Sequence, residues 1–284
     1  MIANAFAIGR QRRVLPGFGL SLGISLTFVS LILLLPLTSL VGQLSQLSWS
    51  QYWFLINDPR LLASYAVTLL GAGVAALFNA AFGLLMAWVL VRYDFPGKRL
   101  VDALMDLPFA LPTAVAGVTL ATLYSNNGWV GRLLEPLGIS VAYTWVGIAL
   151  AMAFTSIPFV VRTVQPVLED LPAEVDEAAV TLGARDGHAF RRVILPHLWP
   201  ALVTGTGLAF VRSLGEFGAV IFIAGGKPYE TEITSLMIFV KLQEYDYAGA
   251  SAVASIVLAT SLILLLAINL WQGRFIKRLH GGRP

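Results

Sequence analysis

The chain has 284 residues, of which 57% are hydrophobic and 12% are charged, and its formal net charge is +3. A water-soluble domain carries about 25% charged residues, so this composition excludes an ordinary soluble globular protein. The sequence contains no cysteine, which excludes disulfides and thiolate metal sites.

Six apolar runs approach or exceed the length of about 20 residues that a helix needs to cross the hydrocarbon core of a bilayer. Each run contains few charges, which is typical of a membrane-spanning helix. The first is too long for the apolar part of a secretory signal, and no small-residue cleavage site follows it, so we expect it to be retained. We predict an all-α polytopic membrane protein with about six transmembrane helices at 18–41, 62–91, 101–124, 142–164, 198–224 and 249–271.

The distribution of lysine and arginine predicts the orientation of these helices. Fourteen of the 19 basic residues share one side if the N-terminus, the loops 92–100 and 162–197 and the C-terminal tail lie together. Four basic residues are then on the other side, and Arg212 lies within a helix. Short cytoplasmic loops are enriched in Lys and Arg, so we predict a plasma (inner) membrane protein with both termini in the cytoplasm.

Motifs for catalysis and cofactor binding have weak support. GLSLG at 19–23 matches a nucleophile pattern, but it opens a membrane helix instead of a strand-to-helix turn. His188, His197 and His280 show no metal-ligand spacing, and no phosphate-binding G-x-x-x-x-G-K-[ST] loop is present. We therefore predict no catalytic residue, no metal site and no cofactor on this chain, so any ATP that drives it is bound by another chain.

A polar stretch between the fourth and fifth apolar runs reads as two short helices joined by a hinge. Pro172 is placed to open the first helix, and Gly183 suits the left-handed position that ends it. Asp186 is placed to cap the second helix, which we expect Pro196 to stop. Taken alone, this pattern fits either a docking surface for another protein or an amphipathic hairpin at the membrane interface.

The spacing within this stretch resembles the EAA loop of the permeases of ABC importers. Glu177-Ala178-Ala179 is followed by three residues, Gly183, nine residues and then Val-Ile-Leu-Pro, where the family pattern has Ile-x-Leu-Pro. The resemblance implies that the first short helix is the coupling helix, which sits in a groove of a cytoplasmic ATPase. The residues implied in ATPase docking are Glu177, Ala178, Ala179, Leu182, Gly183 and Pro196. Arg185 and Gly187 depart from the family, which usually has serine and an aromatic residue there.

Four further segments, 107–131, 157–170, 213–226 and 231–252, resemble the T-type subunit of sulfate/thiosulfate permeases. This resemblance implies the type I ABC importer (MetI-like) permease fold and ATP-driven uptake of sulfate, and thiosulfate too. The implied partners are a second, W-type permease subunit, two copies of a cytoplasmic ATPase subunit that binds ATP and Mg²⁺, and an extracytoplasmic sulfate-binding protein. The predicted parts are an N-terminal segment 1–17, a first helix 18–41, a transporter core 60–272 with its coupling loop at about 172–196, and a tail 273–284.

Two pairs of charged residues lie inside or beside the apolar runs. Arg212 and Glu216 are four residues apart and would share a helix face, where they either brace the helices as a neutral pair or line the translocation pathway. Asp102 and Asp106 are interpreted as interfacial acids before a helix that is kinked by proline. The segment 227–247 is a candidate contact for the binding protein, although an ordinary surface loop would look similar.

Three alternatives stay open on the sequence alone. Molybdate, tungstate or another oxyanion is an alternative cargo. An ion-coupled secondary transporter would use charges such as Glu216, although we find no internal repeat of the kind that such folds show. A membrane-embedded enzyme is disfavoured by the missing nucleophile and metal patterns.

Overall fold

The computed structural model of the chain describes residues 17–181 and 183–279, and every regular element in this part is helical. The predictions that concern residues 1–16, Leu182 and residues 280–284 lie outside the described residues. In chain order the helices are α1 (Phe18–Leu44), α2 (Trp49–Ile56), α3 (Pro59–Arg92), α4 (Lys98–Met105), α5 (Leu107–Ala110), α6 (Thr113–Tyr124), α7 (Gly131–Leu134), α8 (Trp145–Glu169), α9 (Ala173–Thr181), α10 (Asp186–Ala189), α11 (Leu195–Leu214), α12 (Gly218–Ala224), α13 (Thr234–Gln243) and α14 (Tyr247–Leu279).

Five long helices of the described chain are apolar enough to cross a membrane, which confirms the prediction of a polytopic helical protein. They are α1, α3, α8, the helical run Gly187–Leu214 and α14. The predicted span at 101–124 is wrong as a single helix, because it divides into α4, α5 and α6. Leu111 and Pro112 are extended, with ψ of 134° and 129°, and proline disfavours a helical conformation in the residue before it.

The predicted span at 198–224 is also divided. Helix α11 ends at Leu214, and α12 begins at Gly218 after a short break that contains Glu216. The two broken spans meet, because α12 packs against α6. A Cβ at Gly117 would lie 2.3 Å from the carbonyl oxygen of Ala219, and a Cβ at Gly218 would lie 2.2 Å from the Thr113 hydroxyl. Glycine at these two positions therefore permits the backbones to touch.

The core is formed where α3, α8 and α11 pack together. Its fully buried side chains include Ile148, Met152 and Val160 of α8 and Leu198 of α11. Helix α1 packs along α14 and buries none of its residues, so its apolar surface is available to lipid or to another subunit. We call the end of the bundle where α3 and α8 terminate the EAA end, because the loop with that motif follows α8.

Candidate coupling loop and translocation pathway

The first helix of the EAA loop, α9, forms where the sequence predicts it. The helix begins after Pro172, whose carbonyl accepts the Val175 amide at 3.2 Å. Glu177, Ala178 and Ala179 lie in its second half, and Ala179 is buried whereas Ala178 is exposed. This helix therefore has one side on the protein and one side that faces outward.

Gly183 ends this helix in the left-handed conformation, as predicted. Its φ is +79°, and the amide of Ala184 donates a hydrogen bond of 3.0 Å to the carbonyl of Ala179. Such a bond across the helix end is the mark of a glycine-terminated helix. No atom lies within 4 Å of a Cβ placed at Gly183, so a side chain there would strain the backbone without a steric clash.

The second half of the loop differs from the prediction at both ends. The carbonyl of Arg185 accepts the amides of His188 and Ala189, so Arg185 takes the capping position and Asp186 is the first helical residue. Pro196 does not stop the helix, because a π-helical turn at Phe190–Ile194 joins α10 to α11. Pro196 has no amide hydrogen to donate, and the wider turn accommodates that loss within a continuous helical run.

The folded loop has a hollow of about 540 Å³ on its surface. The hollow brings Ala179 and Gly183 together, and two arginine side chains and one histidine surround them: Arg185, Arg192 and His188. Of the predicted docking residues, Ala178 and Pro196 do not line this hollow. The exposed, cationic rim is a surface that an acidic protein partner can contact.

Arg212 and Glu216 form the predicted ion pair, with 2.6 Å between Nη1 and Oε2. The predicted shared helix face is wrong, however, because Glu216 lies in the break after α11. The Glu216 carboxylate is 1% exposed and also accepts the Ala219 amide at 2.9 Å, which holds the start of α12. The Arg212 side chain is 34% exposed. Glu216 is therefore a buried anchor, whereas Arg212 has part of its surface open.

A buried polar cluster lies next to this ion pair and was not predicted. The Asn79 amide of α3 donates to the Ala153 carbonyl at 2.9 Å and to the Ser156 hydroxyl at 2.8 Å. Ser213 of α11 donates to the same hydroxyl at 3.1 Å. These bonds join α3, α8 and α11 beside Arg212. Single polar residues in apolar runs are the only sequence signal for such a cluster.

A second unpredicted site connects Asp102 and Asp106 to Arg162 of α8. The Arg162 guanidinium donates to both carboxylate oxygens of Asp106, at 2.8 and 2.6 Å, and to Asp102 at 2.6 Å. It also donates to the Asp102 carbonyl and to Gln165. We call Asp102, Asp106 and Arg162 the arginine latch. We interpreted the two acids only as interfacial residues and did not predict their contact with an arginine. The sequence signal for this contact is an arginine inside the fourth apolar run.

At the end of the bundle opposite the EAA end, aromatic residues and a further ion pair are prominent. Arg60 donates to both carboxylate oxygens of Glu232, at 2.7 and 2.5 Å, and the Glu232 side chain is 4% exposed. Tyr143, Tyr229 and Tyr245 all have left-handed φ values of 59–66°. Such values are rare for bulky residues, and the tyrosine rings are exposed.

The described residues hold no group of three or more potential metal ligands. A bundle of long apolar helices with two broken spans, a buried ion pair and a protruding polar loop defines a membrane transport subunit. The chain belongs to the family described as "Binding-protein-dependent transport system inner membrane component", whose model matches residues 79–281.

Two curated relatives resemble almost the whole chain. The sulfate transport system permease protein CysT of Salmonella typhimurium is 66% identical over 271 residues, which are 95% of this chain and 98% of that protein. The protein of the same name from Escherichia coli is 65% identical over 276 residues, 97% of this chain and 99% of the relative. Both relatives are named as permeases, and the chain accordingly belongs to transport proteins and not to enzymes.

The solved structures that resemble the chain share its fold. A bacterial alginate ABC transporter in complex with a pentasaccharide-bound periplasmic protein covers 91% of this chain, with 94% of its own chain aligned, a TM-score of 0.76 and 19% identity. The MetNI methionine ABC transporter covers 82%, with 99% of its own chain aligned, a TM-score of 0.53 and 20% identity. These matches establish the ABC importer permease fold predicted from the sequence.

Proposed function

We propose that this chain is the permease subunit of an ATP-driven importer of sulfate, and of thiosulfate too. The observation that carries this proposal is 66% identity, over 95% of the chain, to a protein named as a sulfate transport permease. Uptake proceeds by alternating access, and the chain forms half of the translocation pathway. Molybdate or tungstate is the alternative cargo, and equilibrium binding of each oxyanion by the partner binding protein distinguishes the cargoes.

The proposed assembly contains this chain, a W-type permease subunit, two ATPase subunits and an extracytoplasmic sulfate-binding protein. ATP and Mg²⁺ are held by the ATPase subunits and supply the energy for transport. Both termini and the EAA end face the cytoplasm, because that arrangement places fourteen basic residues inside. The residues 60–272 form the transporter core in this proposal, with the coupling loop at about 172–196.

The coupling loop is proposed to dock on the ATPase through Glu177, Ala178, Ala179, Leu182, Gly183 and Pro196. The exposed side of α9 and the hinge at Gly183 support docking through the first part of the loop, residues 177–183. Glu177 would meet a basic group in the ATPase groove. A desolvated charge pair that loses one partner costs about 2–5 kcal/mol, which is a factor of roughly 30 to several thousand in affinity.

Two variants of this loop test the docking proposal. Glu177→Ala should weaken retention of the ATPase during purification, whereas Gly183→Val should retain some ATPase but uncouple ATP hydrolysis from sulfate uptake. The expected difference arises because valine disfavours a φ of +79° and would shift α10 relative to α9. The measurements are ATPase retention and ATP-driven sulfate uptake in proteoliposomes. Full retention and wild-type uptake with Glu177→Ala would refute the docking assignment.

The translocation pathway is proposed to include Arg212 and Glu216. Sulfate is a dianion, so the pairing of Glu216 with Arg212 reduces the repulsion that a free carboxylate would exert. The partly exposed Arg212 side chain supports a role on the pathway, and the burial of Glu216 supports an anchoring role. Arg212→Gln should reduce uptake while the complex still assembles. If Arg212 is only a brace, the same change lowers complex yield and melting temperature together.

An ion-coupled secondary transporter is the second candidate function. Membrane vesicles that contain ATP, with the ion gradient collapsed, distinguish the two mechanisms. Sulfate uptake should persist under these conditions and should stop when ATP is omitted. Uptake that follows the ion gradient and ignores ATP would overturn the proposal.

A further inference from the structure

A furrow follows one face of α3 beside the helical run Gly187–Leu214, which contains α11, and ends at the EAA end of the bundle. It consists of two successive hollows of about 520 and 560 Å³. Along α3 the lining positions Gly73, Leu77, Ala80, Leu84 and Trp88 are three or four residues apart, so they form one helix face. We call this feature the α3–α11 furrow.

The length of the furrow matches one leaflet of a bilayer. From Gly73 to Trp88, α3 rises about 22 Å at 1.5 Å per residue, and one leaflet including its headgroup region is about 20–22 Å thick. The inner hollow is lined by small and apolar residues of three helices, among them Ala76, Val203 and Leu264. An acyl chain placed there would contact only apolar side chains along most of its length.

The outer end of the furrow has a different chemistry. Trp88, Tyr93 and Arg191 line this end, and the Arg92 guanidinium lies 5.5 Å from the centre of the Trp88 ring. Aromatic rings are enriched at the headgroup level of a membrane, and basic pockets between helices at the cytoplasmic side bind anionic lipid headgroups.

We propose that the α3–α11 furrow binds a phospholipid with an anionic headgroup. One acyl chain occupies the hollows from Leu84 inward, and the headgroup phosphate contacts Arg191 beside Tyr93. A helix of another subunit would cover the apolar part equally well, whereas the aromatic and basic side chains at the mouth are those found at the headgroup level of a membrane. The charge at the mouth therefore favours an anionic lipid over a second protein.

The test is native mass spectrometry of the full-length chain, purified with its partner subunits from nanodiscs of equal phosphatidylglycerol and phosphatidylethanolamine with matched acyl chains. The wild-type chain should retain phosphatidylglycerol in preference. Arg191→Gln should reduce that preference about fivefold, because one basic residue near an anionic surface contributes about a factor of five in affinity. The matched control is Arg99→Gln, since Arg99 is exposed on α4 at the same end of the bundle and lines neither hollow of the furrow.

A second variant tests the acyl-chain part of the furrow. A Cβ at Gly73 would have only the Phe210 ring near it, at 4.0 Å, so Gly73→Leu fills the inner hollow without a backbone clash. This variant should lose both lipids while its melting temperature stays close to that of the wild type. Retention of bound lipid by Gly73→Leu, or equal retention of the two lipids by the wild type, would overturn the proposal.

A crosslinking measurement distinguishes lipid from a covering subunit. The chain has no cysteine, so Leu77→Cys introduces a single thiol in the furrow, where Leu77 is 70% exposed. The thiol should react with a lipid-soluble maleimide that carries a photoreactive group, and illumination should not crosslink it to the partner permease chain. Efficient crosslinking to that chain would show that a helix occupies the furrow and would refute lipid binding.

Discussion

Removal of the Arg162 side chain should destabilise the protein more than the loss of an ordinary surface charge. Arg162 makes five hydrogen bonds, three of them to the carboxylates of Asp102 and Asp106. A hydrogen bond to a charged group contributes about 1.5–3 kcal/mol, but these side chains are 30–49% exposed and water screens them. We therefore expect Arg162→Gln to cost about 2–3 kcal/mol in total, well below the sum of the bonds.

Thermal unfolding in detergent, followed by tryptophan fluorescence, measures this loss. At about 2–4 °C per kcal/mol for a chain of this size, the melting temperature should fall by about 4–12 °C. Lys98→Gln is the matched control, because Lys98 pairs with Asp94, whose side chain is 98% exposed. An exposed pair contributes about 0–1 kcal/mol, so the control should lower the melting temperature by no more than about 4 °C.

A partial rescue of the lost stability is also expected. Most of the cost in Arg162→Gln arises because two carboxylates lose their partner, so Asp102→Asn and Asp106→Asn added to that variant should restore about half of the lost stability. A single variant as stable as the wild type would refute the magnitude. A triple variant no more stable than the single variant would refute the electrostatic origin and leave side-chain packing as the cause.

Three further changes test other contacts. Gly117→Ala should lower stability by about 1–3 kcal/mol and reduce uptake, because a Cβ there would lie 2.3 Å from the Ala219 carbonyl oxygen. Thermal unfolding measures the loss of stability, and a transport assay measures the loss of uptake. Arg60→Met should destabilise the protein more than Glu232→Gln. The first change leaves a carboxylate that is only 4% exposed without its partner, whereas the second leaves the half-exposed arginine in water. Melting curves of the two variants give the order. Burial opposes ionisation of Asp246, but bonds from Gly249 and Lys241 outweigh it and hold the pKa of Asp246 below its ordinary value. The stability from this pKa difference is present above about pH 4 and is lost as the pH falls further, so melting curves at falling pH should show a smaller decrease for Asp246→Ala than for the wild type.

The long helices follow from composition, because a continuous apolar run without water leaves the helix as the structure that satisfies its backbone. Composition did not predict that two of the spans are broken. The run at 101–124 has no charged residue after Asp106, and hydropathy does not record that Pro112 removes a backbone donor and extends Leu111. Hydropathy does not indicate the break in the run at 198–224 either. This break at Gly215 is held by Glu216 and by contacts with α6, which comes from elsewhere in the chain.

The coupling loop shows where local chemistry predicts structure and where it does not. Gly183 was predicted correctly because a left-handed helix end is a local event that glycine favours. Pro196 was predicted wrongly because the rule for proline assumes regular α-helical turns, whereas the π turn at Phe190–Ile194 lets the helix continue. The arginine latch joins residues 56 and 60 positions apart, and no local pattern indicates which acids an arginine will contact.

The correction at Pro196 changes how the proposed coupling loop and the proposed pathway are related. A proline stop would have placed them on separate elements, but the helical run Gly187–Leu214 carries both in one piece. This run is about 40 Å long at 1.5 Å per residue, begins just after the hinge at Gly183 and ends at the break before Glu216. A rotation of the loop on the ATPase would therefore move Arg212 with it, while Glu216 stays attached to α12 through the Ala219 amide. The ion pair between Arg212 and Glu216 spans the break between the two parts, so such a motion would stretch it.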